Sequence, residues 1–347
     1  MSIIKSVFGT LPSGEEIELY SITNANGMQV NLMTFGANLV NLYLPDGKGG
    51  KVDVNLGYDV LEKYTKNTDN FGATIGPNAN RIGNACFELD GVKINLPKND
   101  GENNLHTDGD FGMHKKIWKA STIQNQVIFE LSLKDGELCL PGNRKFRLTY
   151  ELTDDNELKL HYEVTSDRNT LINMTNHSYF NLDGHGAGSI HNHKLWVSSS
   201  AITPVVKGAI PTGEYMDVTG TVFDFRTKRQ LGEALAHDDA QLSIGGGIDH
   251  NFVIDDYDGS LKKIATLSSD ESGRSMDVYT NLPGIQVYTG NFIGEQIAKE
   301  GATYNKRYGV AMETQFFPDA PNHDNFPSDI FGPDREYDYT TVYRFAW

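Results

Sequence analysis

The segment Asn173-Met174-Thr175-Asn176-His177-Ser178-Tyr179-Phe180-Asn181 gathers hydrogen-bonding side chains around one imidazole. Read as a strand, it sends successive side chains to opposite faces, and one face then carries Asn173, Thr175, His177, Tyr179 and Asn181. Such a row suits a polyhydroxylated ligand, because hydroxyls need both donors and acceptors and an aromatic plane covers the C–H side of a sugar ring. The same pattern also describes a solvated polar face of a sheet. In Ala311-Met312-Glu313-Thr314-Gln315, Glu313 and Gln315 share a face, and a carboxylate there is either a general base or a surface charge. Gly245-Gly246-Gly247-Ile248-Asp249-His250 lacks the GxxxxGK[ST] spacing of a phosphate loop. Asp249 either meets a ligand hydroxyl or closes an Asx turn. Two polar loops, Asn78-Ala79-Asn80-Arg81-Ile82 and Asn103-Asn104-Leu105-His106-Thr107-Asp108-Gly109, place an Arg and a His where binding groups often sit. His185, His191 and His193 lie in a Gly-rich stretch without matching Cys or carboxylate spacing, so no metal site is expected.

The elements that must position these groups read as strands. Asp-Gly pairs recur at 46–47, 90–91, 100–101, 108–109, 135–136, 183–184 and 258–259, and such pairs suit the positive φ angles of tight hairpins. Residues 146–152 and 158–164 alternate apolar and polar, with Asp154-Asp155-Asn156 between them. They predict an antiparallel hairpin with one buried face, and 127–133 predicts another strand. Only Val60 to Tyr64 and Arg229 to Ala236 suggest helix, and neither is long enough for a βαβ crossover. No linker or repeat divides the chain. The expected architecture is therefore all-β, a large antiparallel β-sandwich with few short helices, forming a single domain over residues 1–347.

Composition narrows the ligand. The 347 residues include 30 Lys and Arg against 46 Asp and Glu, a formal charge of −16. This field repels phosphate backbones and anionic lipid, so neither nucleic acid nor a membrane surface is an expected partner. Neutral small molecules remain. Two cysteines, Cys86 and Cys139, are too few for a disulfide framework and are expected to be ordinary buried thiols. The first residues show no apolar signal segment and no stretch reaches transmembrane length, so a cytoplasmic setting is expected.

At six segments the chain resembles the aldose 1-epimerase (galactose mutarotase) family. They are Asn80-Arg81-Ile82, Asn104-Leu105-His106, Thr175-Asn176-His177-Ser178-Tyr179-Phe180-Asn181-Leu182, Gly247-Ile248-Asp249-His250-Asn251-Phe252, Tyr288-Thr289-Gly290-Asn291-Phe292 and Glu313-Thr314-Gln315. Their order along the chain makes the match far more specific than any one of them. The resemblance implies a β-sandwich of the supersandwich type with an open cleft. It implies interconversion of the α and β anomers of free aldohexoses by acid/base opening of the hemiacetal ring, without cofactor or metal, in a monomer or homodimer. His177 would be the general acid and Glu313 the general base, with Arg81, His106, Asp249 and Asn80 binding the sugar. A glycoside hydrolase or lyase using Glu313 and Asp249 as paired carboxylates, and a non-catalytic sugar-binding module, are the alternatives.

Two expectations follow from that scheme. Neighbouring carboxylates should raise the His177 pKa, and partial burial should raise that of Glu313. Thr107-Asp108 stand where the family usually has Gly-Gly, and Leu138-Cys139-Leu140-Pro141-Gly142 stands where it often has Tyr-Pro-Gly. Both departures are expected to reshape the pocket wall.

Overall fold

The computed structural model describes residues 2–347. The predicted hairpin is present: strands Arg144–Leu152 and Glu157–Ser166 pair antiparallel with Leu148 opposite Tyr162. Leu148, Tyr150, Leu158, Leu160 and Tyr162 form its buried face. Asn156 closes the turn at φ 62, a conformation that Asn tolerates better than most residues. The third predicted strand is Gln126–Leu133. These belong to a nine-stranded sheet that also contains the C-terminal strand Tyr337–Ala346. A five-stranded sheet is built from residues 2–53, and a six-stranded sheet holds Asp249–Val253, Gly284–Tyr288 and Val310–Gln315 side by side. The three central pairings of the nine-stranded sheet and both pairings among those three strands are antiparallel.

The nine- and six-stranded sheets pack face to face. The Tyr343 hydroxyl donates to the Met312 carbonyl at 3.0 Å, the Thr314 and Thr341 hydroxyls meet, and the Phe180 and Tyr343 rings lie 5.2 Å apart. Alternation along Val310–Gln315 therefore sends Val310, Met312 and Thr314 into the inter-sheet core and Ala311, Glu313 and Gln315 to the opposite face. Every residue of this strand is buried, so its polar face is covered by other parts of the chain. The five-stranded sheet is pinned to the rest by a buried ion pair. Lys299 Nζ donates to Asp53 Oδ2 at 2.8 Å and to the Asn55 carbonyl at 2.7 Å, and it also reaches the Val40 carbonyl. Such a pair is tolerated in an interior because each of its polar atoms is satisfied.

The helices differ from expectation in detail. The first spans Leu61–Lys66, and the second is Leu231–Leu235, preceded by a short strand at Arg229–Gln230. A third, Ala240–Gly245, was not predicted. Its signals are nonetheless in the sequence: the Asp239 carboxylate accepts the Gln241 and Leu242 amides, and Gly246 at φ 65 ends it. The triple glycine is thus a helix terminus leading into the Asp249 strand. The cysteines correct another expectation: Cys86 is half-buried and Cys139 exposed. Cys139 follows Leu138 in a turn where both have positive φ, which lifts it off the core. Among the described residues no helix is long and apolar enough to cross a membrane.

Candidate active site

Three adjacent strands supply one wall of a cleft. Register places Asn251 opposite Gln286 and Gln286 opposite Glu313, with Asp249 opposite Tyr288. The outward face therefore carries Asp249, Gln286, Tyr288 and Glu313, while Phe252, Ile285, Val287 and Met312 point into the core. Over this face lies the short strand Thr175–His177, held by Ala73–Ile75, and the two-stranded ladder of Arg81–Ile82 with Asn104–Leu105. The resulting cleft of about 180 Å³ is lined by His177, Glu313, His106, Arg81, Asn80 and Asp249, together with Tyr179, Tyr288 and Phe292. All six site residues singled out in the sequence thus meet in one place, although they are spread from position 80 to position 313.

His177 Nε2 stands 3.7 Å from Glu313 Oε1, and both side chains are nearly inaccessible. That separation is too long for a hydrogen bond, so the two groups face each other without neutralising one another's hydrogen-bonding capacity. His177 Nδ1 and Glu313 Oε2 have no protein partner. The His106 ring stands 5.4 Å from that of His177, nearly perpendicular to it. His106 Nδ1 accepts the Asn80 backbone N–H at 3.0 Å, so a neutral His106 carries its proton on Nε2 and can only donate from there. Asn80 holds φ 62 and accepts the Arg81 N–H on its side-chain oxygen. Asp249 is oriented from two sides: Gln286 Nε2 donates to Oδ1 at 2.6 Å, and Arg81 Nη1 lies 3.6 Å from Oδ2. Arg81 Nε donates to Asp100 at 2.8 Å.

Burial dominates the electrostatics of this site. It pushes the Glu313 carboxyl well above the usual carboxylate range, the Asp249 charge adds to the rise, and Arg81 opposes it. It also lowers His177 to about 4, with Asp249 acting in the opposite direction. The expected rise at His177 is therefore overturned: in so dry a position, desolvation of the imidazolium outweighs the nearby carboxylates. His106 is likewise held well below its ordinary value by burial, with His177 and Arg81 adding to the shift. For Arg81 burial works against the charge, but Asp249 and Asp100 outweigh it and raise the pKa.

Other expected participants are elsewhere. Strand geometry breaks between His177 and Tyr179, so the anticipated row is not a single ligand-facing surface. Asn173 exchanges hydrogen bonds with the Phe316 backbone, and Asn181 Nδ2 binds the carbonyls of Gly188 and Tyr308. Thr175 and Gln315 are buried away from the lining, and only His177 and Tyr179 of that row reach the cleft. His193 Nε2 accepts the Leu182 N–H, and His185 Nδ1 pairs with the Tyr304 hydroxyl. Among the described residues no three metal-ligating side chains converge.

The departures from the family pattern do not touch the cleft either. Thr107 is fully buried at φ 67, and its hydroxyl both accepts the Asn78 N–H and donates to the Asn78 carbonyl, each at 2.9 Å. Asp108 accepts the amides of Asp110 and Phe111. Leu140 packs beneath the Arg81 strand with Ile82 and Leu171. The expected reshaping of the pocket wall is thus corrected to an internal bracing of the loops behind it. Thr107→Gly relieves an unfavourable φ for a β-branched residue but leaves the buried Asn78 amide without a partner. It is expected to destabilise the fold by about 1–2 kcal/mol and to leave the ratio of kcat/KM for glucose and galactose unchanged. Thermal denaturation beside anomer-resolved rates on both sugars checks this, and a reversed sugar ranking would contradict it.

Sequence reasoning assigned no role to Gln286, Tyr288, Phe292 or the loop Thr68-Asp69-Asn70, all of which bear on the cleft. Period two from Glu313 finds no residue on another strand. Only register shows that Gln286 lies opposite it. Tyr288 and Phe292 form a stacked pair with centroids 6.5 Å apart, and Phe292 is 65% exposed at the rim.

Comparison with known proteins shows the family. A family model described as aldose 1-epimerase matches residues 18–344. The chain is 39% identical over 350 residues to galactose mutarotase from Bos taurus, covering 100% of this chain and 99% of the relative. It is 36% identical to aldose 1-epimerase from Escherichia coli, covering 96% of each. Among solved structures, an aldose epimerase homologue from C. elegans superposes with a TM-score of 0.87 at 31% identity, covering 94% of this chain and 98% of that one. Galactose 1-epimerase from Lactobacillus acidophilus superposes with 0.86 at 26% identity, covering 99% and 98%.

Proposed function

The chain belongs to the aldose 1-epimerase family, and from that premise we propose how its cleft works. The protein interconverts the α and β anomers of aldoses. Glu313 is the general base that takes the proton of the C1 hydroxyl, and His177 is the general acid that protonates the ring oxygen. The C1–O5 bond then breaks, the aldehyde turns about C1–C2, and the ring recloses on the other face with the two roles exchanged. No electron pair leaves the sugar and the protein returns to its starting protonation.

The observation that carries this reading is the side-by-side placement of His177 and Glu313 at 3.7 Å. The hydroxyl to be deprotonated and the ring oxygen to be protonated both hang on C1, so acid and base must stand together. The opposed pKa directions fit the same scheme. A neutral His177 beside a protonated Glu313 holds one proton, and so does imidazolium beside carboxylate. The two arrangements hold the same number of protons, and a sugar hydroxyl bridging the 3.7 Å gap is the path between them. His177 Nε2 and Glu313 Oε1 are the atoms that meet the sugar, and Arg81 favours the ionised carboxylate. His106 donates from Nε2 towards the sugar, while Asp249 and Asn80 hold its hydroxyls. Asp249 is a poor second catalytic carboxylate for glycoside cleavage, since Gln286 and Arg81 already engage its oxygens. We further read residues 1–347 as one domain, supported by a continuous core that runs from Tyr20 to Phe345.

Polarimetry on freshly dissolved pure anomers of several aldoses tests the function. The enzyme should speed the approach to the equilibrium rotation well beyond buffer alone. Unchanged rates on every aldose would defeat it.

Neutral hexoses are the expected substrates over their 6-phosphates. Arg81 is the one Lys or Arg in the described lining, against Asp69, Asp249 and Glu313, and it is already shared between two carboxylates. Phosphate recognition commonly uses several cationic donors. kcat/KM for glucose 6-phosphate is expected to be at least about 10-fold below that for glucose at matched salt, a difference of about 1.4 kcal/mol in transition-state binding. A higher efficiency on the phosphate would overturn the substrate class.

A further inference from the structure

The proton transfers at C1 do not use every polar side chain of the cleft, whose lining also contains a carboxylate, Asp69, for which the mechanism has no use. We propose that Asp69 is a specificity-determining residue whose carboxylate accepts a hydrogen bond from a sugar hydroxyl remote from C1. This inference rests on the anomerisation reading of the same cleft and deepens it.

Asp69 lies on a built loop. After the helix Leu61–Lys66, Asn67 Oδ1 accepts the Phe71 N–H at 2.9 Å and its Nδ2 donates to the Phe71 carbonyl at 3.1 Å, folding the intervening residues into a fixed turn. The Asn70 N–H donates to the Asn67 carbonyl, and the Ala73 N–H to the Asn70 carbonyl. The Tyr179 hydroxyl donates to the Asp69 carbonyl at 2.9 Å. The Tyr179 ring sits beside the His177 ring, with centroids 5.0 Å apart. One tyrosine therefore spans from the proposed acid to the Asp69 backbone, which puts Asp69 within the length of a small sugar from the reacting end.

The carboxylate itself is held on one side. Gln296 Nε2 donates to Asp69 Oδ2 at 2.7 Å, and Gln296 Oε1 in turn accepts the Tyr58 hydroxyl at 2.7 Å. This relay holds Oδ2 and leaves Oδ1 without a side-chain donor among the described residues. Among the described residues Gln296 is its one side-chain donor, and no Lys, Arg or His comes within ion-pair range. An ionised carboxylate offers about four acceptor positions, so most of its capacity is unused. A half-buried charge without a counterion is unfavourable for folding alone. A hydroxylated ligand supplies the missing donors, and a fixed acceptor distinguishes hydroxyl configurations more sharply than an apolar wall does.

The test measures kcat/KM of the wild type, Asp69→Ala and Asp69→Asn on glucose and on its 2-, 3-, 4- and 6-deoxy derivatives. Asn keeps the volume and an oxygen for Gln296 but turns a donor towards the cleft. Both variants are expected to lose about 10-fold or more on glucose, mainly through KM. With one of the 3-, 4- or 6-deoxy sugars the difference between wild type and variants should vanish, while it persists with the 2-deoxy sugar. An equal loss on every sugar would make Asp69 a structural brace and overturn the inference, as would no loss on glucose. Wild-type inactivity on the whole panel would overturn the anomerisation reading along with it, whereas wild-type activity with a uniform loss overturns this inference alone.

Discussion

Glu313→Gln is expected to lower kcat at least about 10²-fold while raising the stability of the folded protein at neutral pH. Gln keeps the shape and one acceptor oxygen, so sugar affinity should change far less than kcat. The stability gain follows from the direction of the carboxyl shift. Burial holds the folded-state pKa of Glu313 well above the ordinary value of 4.5. A group raised in this way contributes stability that is full below its unfolded pKa and is lost as pH rises through its folded pKa. Wild type therefore weakens as pH rises above about 4.5 towards that raised folded value, and Gln, which does not ionise, does not share this loss. The Tm difference between variant and wild type should grow from pH 5 to pH 8, alongside the kcat loss in a polarimetric assay. Near-normal kcat would remove Glu313 as the base and make Asp249 the next carboxylate to examine. A Tm difference independent of pH would mean that the buried carboxyl is not the source of the instability.

His177→Asn is expected to cost a similar factor, at least about 10²-fold in kcat, because Asn retains polarity but has no group that titrates near neutrality. Acid and base act on the two oxygens of C1 in one step, so the double variant should lose less than the product of the single losses. The pH profile of the wild type gives an independent check. The competent pair holds one proton. Adding a second requires charging His177, whose pKa is lowered to about 4 by burial. Wild-type kcat/KM should therefore hold as pH falls from 7 to about 5 and decline only towards 4, rather than near the ordinary histidine value of about 6.5. An acid limb centred near 6.5 would show that His177 is solvated in the working enzyme. Full multiplicativity of the two substitutions would show that the groups serve separate steps.

Much of the architecture was legible in the sequence because period-two alternation is a local signal. The strands at 127–133, 146–152 and 158–164 announce themselves by residue type alone, and the Asn156 turn by its preference for positive φ. The helix Ala240–Gly245 was missed although Asp239 and Gly246 cap it, because its six residues hold too few turns for a 3.6-residue period to show. For the site, ordered segments pointed to His177, Glu313, Arg81, His106, Asp249 and Asn80, and the structure sets these side by side.

What the chain alone determined is the chemistry on offer: an imidazole and a carboxylate as proton carriers, a guanidinium and amides as hydroxyl binders, all on sheet strands and loops. Only the tertiary structure decided how those groups behave. Register between Gly284–Tyr288 and Val310–Gln315 brings Gln286 opposite Glu313, and register is a property of two strands that neither contains. The covering of the polar sheet face by the Thr175–His177 strand and the Arg81 loop excludes water, and this turned the expected rise at His177 into a fall. The same folding carried Thr107, Asn173 and Asn181 into backbone bracing and brought Asp69 to the cleft. A side chain's type is local, but its solvation and its partners depend on segments more than a hundred residues away.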